Sequence, residues 1–181
     1  MRAQGIDGSE LQNPARQIGF DRAIGVERVR HAVDHAGLEN RGRTLAGGRR
    51  ERKFGGALVG ELAKSGVREI EVAFDLPGEE GGNAAAHFAL GAKLRSYRFD
   101  KYRTKEKPED KPALQRMTVH VEANRTAQRV FADLDQVADA VFFARDLVSE
   151  PGNVIFPKSL AARCRTLAAH GVKVEILGVK E

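Results

Sequence analysis

"REIEVAFDL", Arg68–Leu76, alternates Ile70, Val72 and Phe74 with Glu69, Glu71 and Asp75. A period of two gathers the apolar side chains on one side of an extended backbone, so the stretch predicts a half-buried strand. "GGNAAAHFALGAKLRSYRF", Gly81–Phe99, then reads as an alanine-rich helix with Asn83 placed to cap it. After the polar, proline-marked "DKYRTKEKPEDKPA", residues 100–113, comes "LQRMTVHVE", Leu114–Glu122, where Met117, Val119 and Val121 share a face. Strand, helix, strand is the grammar of an α/β architecture, here expected as a short mixed sheet flanked by helices.

The pattern extends in both directions. Upstream, "GGALVGELAKSG", Gly55–Gly66, sets Leu58, Leu62 and Ala63 on one side of a helix that Gly66 would close. Downstream, from Arg125 to Ser149, Val130, Leu134, Val137, Val141 and Val148 recur at helical spacing, and Phe131, Ala138 and Phe142 widen the stripe. One face of that helix is expected to be buried. Pro151 and Gly152 end it, because proline lacks an amide donor and glycine accepts turn geometry. Pro157 opens a further helix bearing Leu160, Ala161, Cys164, Leu167 and Ala168, and Gly171 closes it. "VKVEIL", Val172–Leu177, alternates again and predicts a last strand.

Composition bounds what such a chain does. Its 181 residues, 41% of them hydrophobic, suffice for one ordinary core. The single cysteine, Cys164, excludes an intramolecular disulfide framework and suits a reducing, cytoplasmic setting. No apolar run approaches the roughly 18 residues of a membrane span, so no membrane partner is expected. The arginine-rich N-terminus also carries Asp7, Glu10, Asp21 and Glu27, which argues against an import signal.

The net charge of +5 hints at nucleic acid until it is divided along the chain. Residues 1–53 hold 11 Lys and Arg against 7 Asp and Glu; residues 54–181 hold 19 against 18. Lysine is also nearly absent before residue 54, so a composition break falls near Lys53. Upstream, Ala23–Leu38 suits a short helix, while "NRGRTLAGGRRERK" is glycine and arginine without period. Residues 1–53 are therefore expected to form a disordered tail without a stable place in the sheet, or to reflect a shifted reading frame in GC-rich DNA.

Two motifs carry a resemblance. "ARDLVSEPGNVIFPKSLAARCRTLAAHGVKVEILG", Ala144–Gly178, resembles the interdomain segment of the leucyl aminopeptidases, and "SYRFDKYRTKEK", Ser96–Lys107, is similar to a segment one strand earlier in that family. The resemblance covers residues 54–181. It implies a partial macro-like N-terminal domain at 54–151 and the start of a catalytic domain at 152–181, truncated there. The family's activity, which this resemblance implies for an intact protein, removes N-terminal residues, leucine preferentially, from peptides. Two divalent ions, Mn²⁺ or Zn²⁺, serve that hydrolysis, and a hexamer is the family's working form. The ligands of those ions lie in a segment that nothing here matches, so no catalytic, cofactor-binding or metal-ligating residue is assigned, and this chain alone is expected to be inactive. A homo-oligomer is expected.

Other constellations are weaker. His31 and His35 stand i, i+4 on a predicted helix, as a metal pair would, with only Glu27 or Asp34 nearby as a third donor. A surface helix is the preferred reading of the pair. The loop around Tyr102 interleaves Lys101, Arg103, Lys105 and Lys107, as phosphate contacts would, but Asp100, Glu106, Glu109 and Asp110 dilute it. Asp146 and Glu150 read as helix-end charges. Phe156 occupies the position of the family's capping Thr, which removes that cap unless another group replaces it. The alternative function is a free-standing macro-like module that binds nucleotide-like ligands or DNA, which would show as salt-dependent retardation.

Overall fold

The structure, a computed structural model, describes residues 17–21 and 48–178. The expected Ala23–Leu38 helix and the His31/His35 pair lie outside the described residues. Three strands, β1 (Gln17–Asp21), β2 (Glu69–Phe74) and β3 (Arg116–Val121), form a sheet in the order β1-β3-β2. Four helices accompany them: α1 (Arg49–Leu62), α2 (Gly78–Ser96), α3 (Asn124–Ser149) and α4 (Pro157–Arg165). The α/β class is as expected. Both pairings are parallel, however, rather than mixed. Neighbouring β2 and β3 are joined through α2, and a helical crossover returns the chain to the same end of the sheet.

Residues 17–21 correct the expectation for the N-terminal segment. Gln17 to Asp21 pair in register with Arg116 to His120, so this stretch has a place in the sheet. "QIGFD" does alternate, with Ile18 and Phe20 opposite Met117 and Val119, but over only five residues within a glycine- and arginine-rich background. β3 is the central strand, and its second edge offers backbone donors and acceptors to any extended segment. The composition break at Lys53 likewise falls inside α1, which starts at Arg49 behind the left-handed Gly48, φ 63°.

The core lies on one side of the sheet, beneath α1 and α2. Val72, Met117, Val119 and Val121 present the predicted apolar face of β2 and β3, and Val59, Ala85, Phe88, Ala92, Leu114 and Ala127 close over it. Phe88 is fully buried, with its ring 5.5 Å from Phe54 and 5.1 Å, edge-on, from Phe74. The helices approach so closely that a Cβ on Gly55 would stand 2.0 Å from the Phe88 carbonyl oxygen. A Cβ on Gly91 would collide with the Arg52 carbonyl oxygen just as severely, at 1.9 Å.

Asn83 is not the cap of α2. The helix starts five residues earlier, behind Pro77, and the Gly78 amide donates to Glu122 Oε2 across 3.3 Å. Glu79 and Glu80 put negative charge in the first turn, where the helix dipole favours it. A carboxylate from the end of β3 thus replaces the local cap that the sequence offered.

The chain divides into two compact units between Asp139 and Ala140. The expected buried stripe of α3 is covered only in part: Ala127 and Ala138 are buried, but Val137 is 54% exposed and Val148 86%. Small side chains let neighbours seat, while these larger ones stay exposed. In the second unit, the Pro151 carbonyl accepts from the Val154 and Ile155 amides, and α4 follows, then a 3-10 turn at Thr166–His170 closed by left-handed Gly171. Ser159 makes the reciprocal half of a capping box, its Oγ accepting from the Phe156 amide at 2.9 Å, while the phenylalanine side chain offers no acceptor for the other half. Val172–Leu177 is not a strand, contrary to its alternation. A strand requires a partner ladder, and none is paired with it among the described residues. Phe156, Leu160, Ala161, Cys164, Val174 and Ile176 instead line an open apolar hollow of about 630 Å³.

Candidate functional site

The polar groups of the first unit gather at three places. The family-like segment after α2 is one. Arg98 Nη2 donates to both oxygens of Glu106 at 2.6 Å, a forked pairing that bends residues 98–106 back on themselves. Arg103 lies 3.7 Å from the same carboxylate, and Arg98 Nε lies 3.7 Å from Asp100. Tyr102 stands at the tip, edge-on to Phe99 at 5.8 Å, with the Lys101 ammonium 5.6 Å from its ring centre. The hydrogen bond from Arg98 holds the Glu106 carboxyl below its ordinary range, against a smaller opposing effect of desolvation. Arg103, one of the four cations named for this loop, thus faces an internal carboxylate that Arg98 already pairs, which weakens the phosphate-binding reading.

Ionised Glu106 sets the pH behaviour of this loop. Its lowered pKa makes its contribution complete above the unfolded value of 4.5 and lost as pH falls through the folded value. Glu106→Gln should therefore show, at neutral pH, the weakened amide protection of residues 99–106 that wild type reaches only in acid. Equal protection in the two proteins at pH 7 would contradict this role.

The second place lies between α2 and α3. Lys93 Nζ donates to Asp135 Oδ1 at 2.5 Å and to Asp139 Oδ1 at 2.7 Å, bridging two carboxylates one helical turn apart. Partial burial opposes the lysine charge, but the hydrogen bonds and charges of the two aspartates outweigh it and raise the pKa. This is a clamp rather than a reactive amine, because a lysine held protonated is no nucleophile. The third place is the α1–α2 crossing, where Arg52 Nη1 lies 3.1 Å from His87 Nδ1. Sequence reading singled out neither Lys93 nor His87. The spacing of Asp135 and Asp139, i and i+4 on one helix, was the available sign that a cation would sit across from them.

The paired divalent ions implied by the resemblance need converging donors. Among the described residues no three of His, Cys, Asp and Glu come together in a way that would hold a metal. Asp146 lies in the last turn of α3 and Glu150 just beyond it, with the Glu150 amide bonded to the Asp146 carbonyl at 3.1 Å. The donors present do not fit a two-metal centre, and no hydrolytic step is derived through them. His120, on β3, approaches Glu71 to 3.4 Å without the alignment of a hydrogen bond.

Comparison with known proteins places this arrangement. Residues 42–106 match the family model described as "Cytosol aminopeptidase family, N-terminal domain". The chain carries the N-terminal domain signature of the cytosol aminopeptidase family. A probable cytosol aminopeptidase of Caulobacter vibrioides is 44% identical over 117 residues, which is 65% of this chain and 23% of that protein. One from Rhizobium rhizogenes is 42% identical over 136 residues, 71% of this chain and 26% of the relative. Among solved structures, a mutant of tomato leucine aminopeptidase superposes with a TM-score of 0.57 at 25% identity, covering 66% of this chain and 24% of that one. The chain thus spans about a quarter of the length of the cytosol aminopeptidases it matches. The family model takes in α1, β2, α2 and the whole Arg98–Glu106 loop, so the clamp on Glu106 and the glycine crossing belong to the family-like part of the chain.

Proposed function

We propose that this chain serves peptide hydrolysis of the leucyl aminopeptidase type as the macro-like N-terminal domain that precedes the metal-bearing one, and supplies no ligand or catalytic group itself. The observation that carries this reading is the match of residues 42–106 to the cytosol aminopeptidase N-terminal domain, with relatives above 40% identity through the same region. In such a protein, two Mn²⁺ or Zn²⁺ ions would polarise the peptide carbonyl and lower the pKa of bound water. In this reading the described part of the chain acts as a scaffold for a metal centre carried elsewhere in such a protein.

A chimera tests the proposal. Residues 42–178 placed in the Caulobacter vibrioides relative, in place of the segment they match, should give an enzyme that releases leucine anilide in the presence of Mn²⁺. The chain by itself should not. A folded chimera without activity, or Mn²⁺-dependent turnover by the chain alone after contaminating peptidases are removed, would overturn it.

The reading places the protein in the cytoplasm as a homo-oligomer. The relatives are named cytosol aminopeptidases, and among the described residues no helix is long and apolar enough to cross a membrane. Apolar side chains left bare in each unit, including Val137 in one and Val148, Phe156 and Leu177 in the other, favour self-association. Sedimentation at micromolar concentration should show a species larger than one chain. A monomer that binds no hydrophobic dye would contradict it.

A further inference from the structure

We infer that His87 is a pH-sensitive latch between α1 and α2: neutral, it accepts a hydrogen bond that holds the first turns of α1 down, and protonated, it releases them. The chemistry of its partner requires this. A guanidinium only donates, so the nitrogen 3.1 Å from Arg52 Nη1 must offer a lone pair, and the ring proton must reside on Nε2. Adding a proton to Nδ1 turns the contact into two donors and two positive charges facing each other.

The ring packs against the start of α1. His87 lies flat against Gly48, where a Cβ would stand 2.1 Å from the ring carbons Cγ and Cδ2. Gly48 is the left-handed residue from which α1 starts, and its carbonyl accepts from the Arg52 amide at 3.1 Å. Arg52 also contributes the carbonyl oxygen that meets Gly91 in the helix crossing. The residue that bonds His87 is therefore the one whose backbone joins the two helices, and displacing its side chain acts directly on that contact.

A second group gives the protonated ring somewhere to go. Among the described residues, the charged side chains that bear on His87 are Arg52 and Glu51, both from α1. Glu51 Oε2 is buried without a hydrogen-bond partner among the described residues. An imidazolium that leaves Arg52 can satisfy that oxygen, which costs free energy while it is orphaned. Burial first, and Arg52 second, lower the His87 pKa below 6.5, with Glu51 acting in the opposite sense. A lowered histidine pKa means that the neutral form stabilises the fold fully above pH 6.5 and that this contribution is lost as pH falls through the folded value.

Two measurements on the full chain test the latch. In wild type, the His87 ring should titrate below 6.5, and protection of amides 50–56, corrected for intrinsic exchange, should fall several-fold between pH 7.5 and 5 while that of β3 changes less. Arg52→Met should move the His87 midpoint upward, and His87→Gln should remove the local pH response. A His87 midpoint at or above 6.5 in wild type, or an undiminished local response in folded His87→Gln, would overturn the proposal. If His87→Gln does not fold, the wild-type titration and its displacement by Arg52→Met decide the matter.

Discussion

Gly91→Ala should destabilise the first unit by about 3 kcal/mol or more, at the upper end for overpacking, although alanine is the better helix former. The new Cβ would stand 1.9 Å from the Arg52 carbonyl oxygen and 2.6 Å from the Arg52 Cα. Backbone has no rotamer by which to give way, so α1 and α2 must separate, and separation uncovers Phe54 and Phe88. Gly55→Ala should behave alike, its Cβ lying 2.0 Å from the Phe88 carbonyl oxygen. Gly60→Ala supplies the control. It lies in the same helix, but its nearest neighbour is the Arg95 side chain at 3.2 Å, which can swing aside. Removing a mid-helix glycine there should be neutral or stabilising by up to about 1 kcal/mol. Thermal or denaturant unfolding of the three variants measures this, and equal effects would show that the crossing is not set by backbone contact.

Phe88→Ala is expected to be at least as damaging, at about 3 to 5 kcal/mol. Phe88 is fully buried and touches the aromatic rings of both the helix above, through Phe54, and the strand below, through Phe74. Its loss leaves a void that rigid neighbours cannot fill, because the surrounding positions Ala85, Ala89 and Ala92 are already small. Phe88→Leu should recover a large part of the loss, and Phe54→Ala, at the half-buried rim of the cluster, should cost less. An unfolding midpoint for Phe88→Ala within a degree of wild type would contradict the assignment of the core.

The strands and helices that the sequence made legible are those whose burial follows a local period. β2 and β3 alternate over six residues each, and their predicted faces are the buried ones. α1 was placed too late because "RRERK" resembles a solvated tail in composition, whereas arginine is a good helix former once Gly48 starts the turn. Val172–Leu177 alternates as well, yet alternation states only which side would be buried if a partner strand were present. The partners joined across helices were not legible for a different reason. Arg52 and His87 are 35 residues apart, Lys93 and Asp135 are 42, and only the parallel crossover brings them within bonding distance. Ser159, by contrast, restores part of a cap from within three residues, and a polar side chain at that spacing was open to view.

The glycine crossing of α1 and α2 also bears on how this domain changes over generations. Every one-base change in a glycine codon that replaces the glycine with another amino acid adds side-chain atoms, and at Gly55 and Gly91 any added atom meets carbonyl backbone. Neither helix can therefore drift at these sites by small steps, as an aliphatic contact drifts between leucine and isoleucine. An acceptable change would need a simultaneous shift of the facing main chain, which no single substitution supplies. The exposed arginines and glutamates around the crossing are therefore expected to diverge more readily than the two glycines, which mark the register by which both helices align.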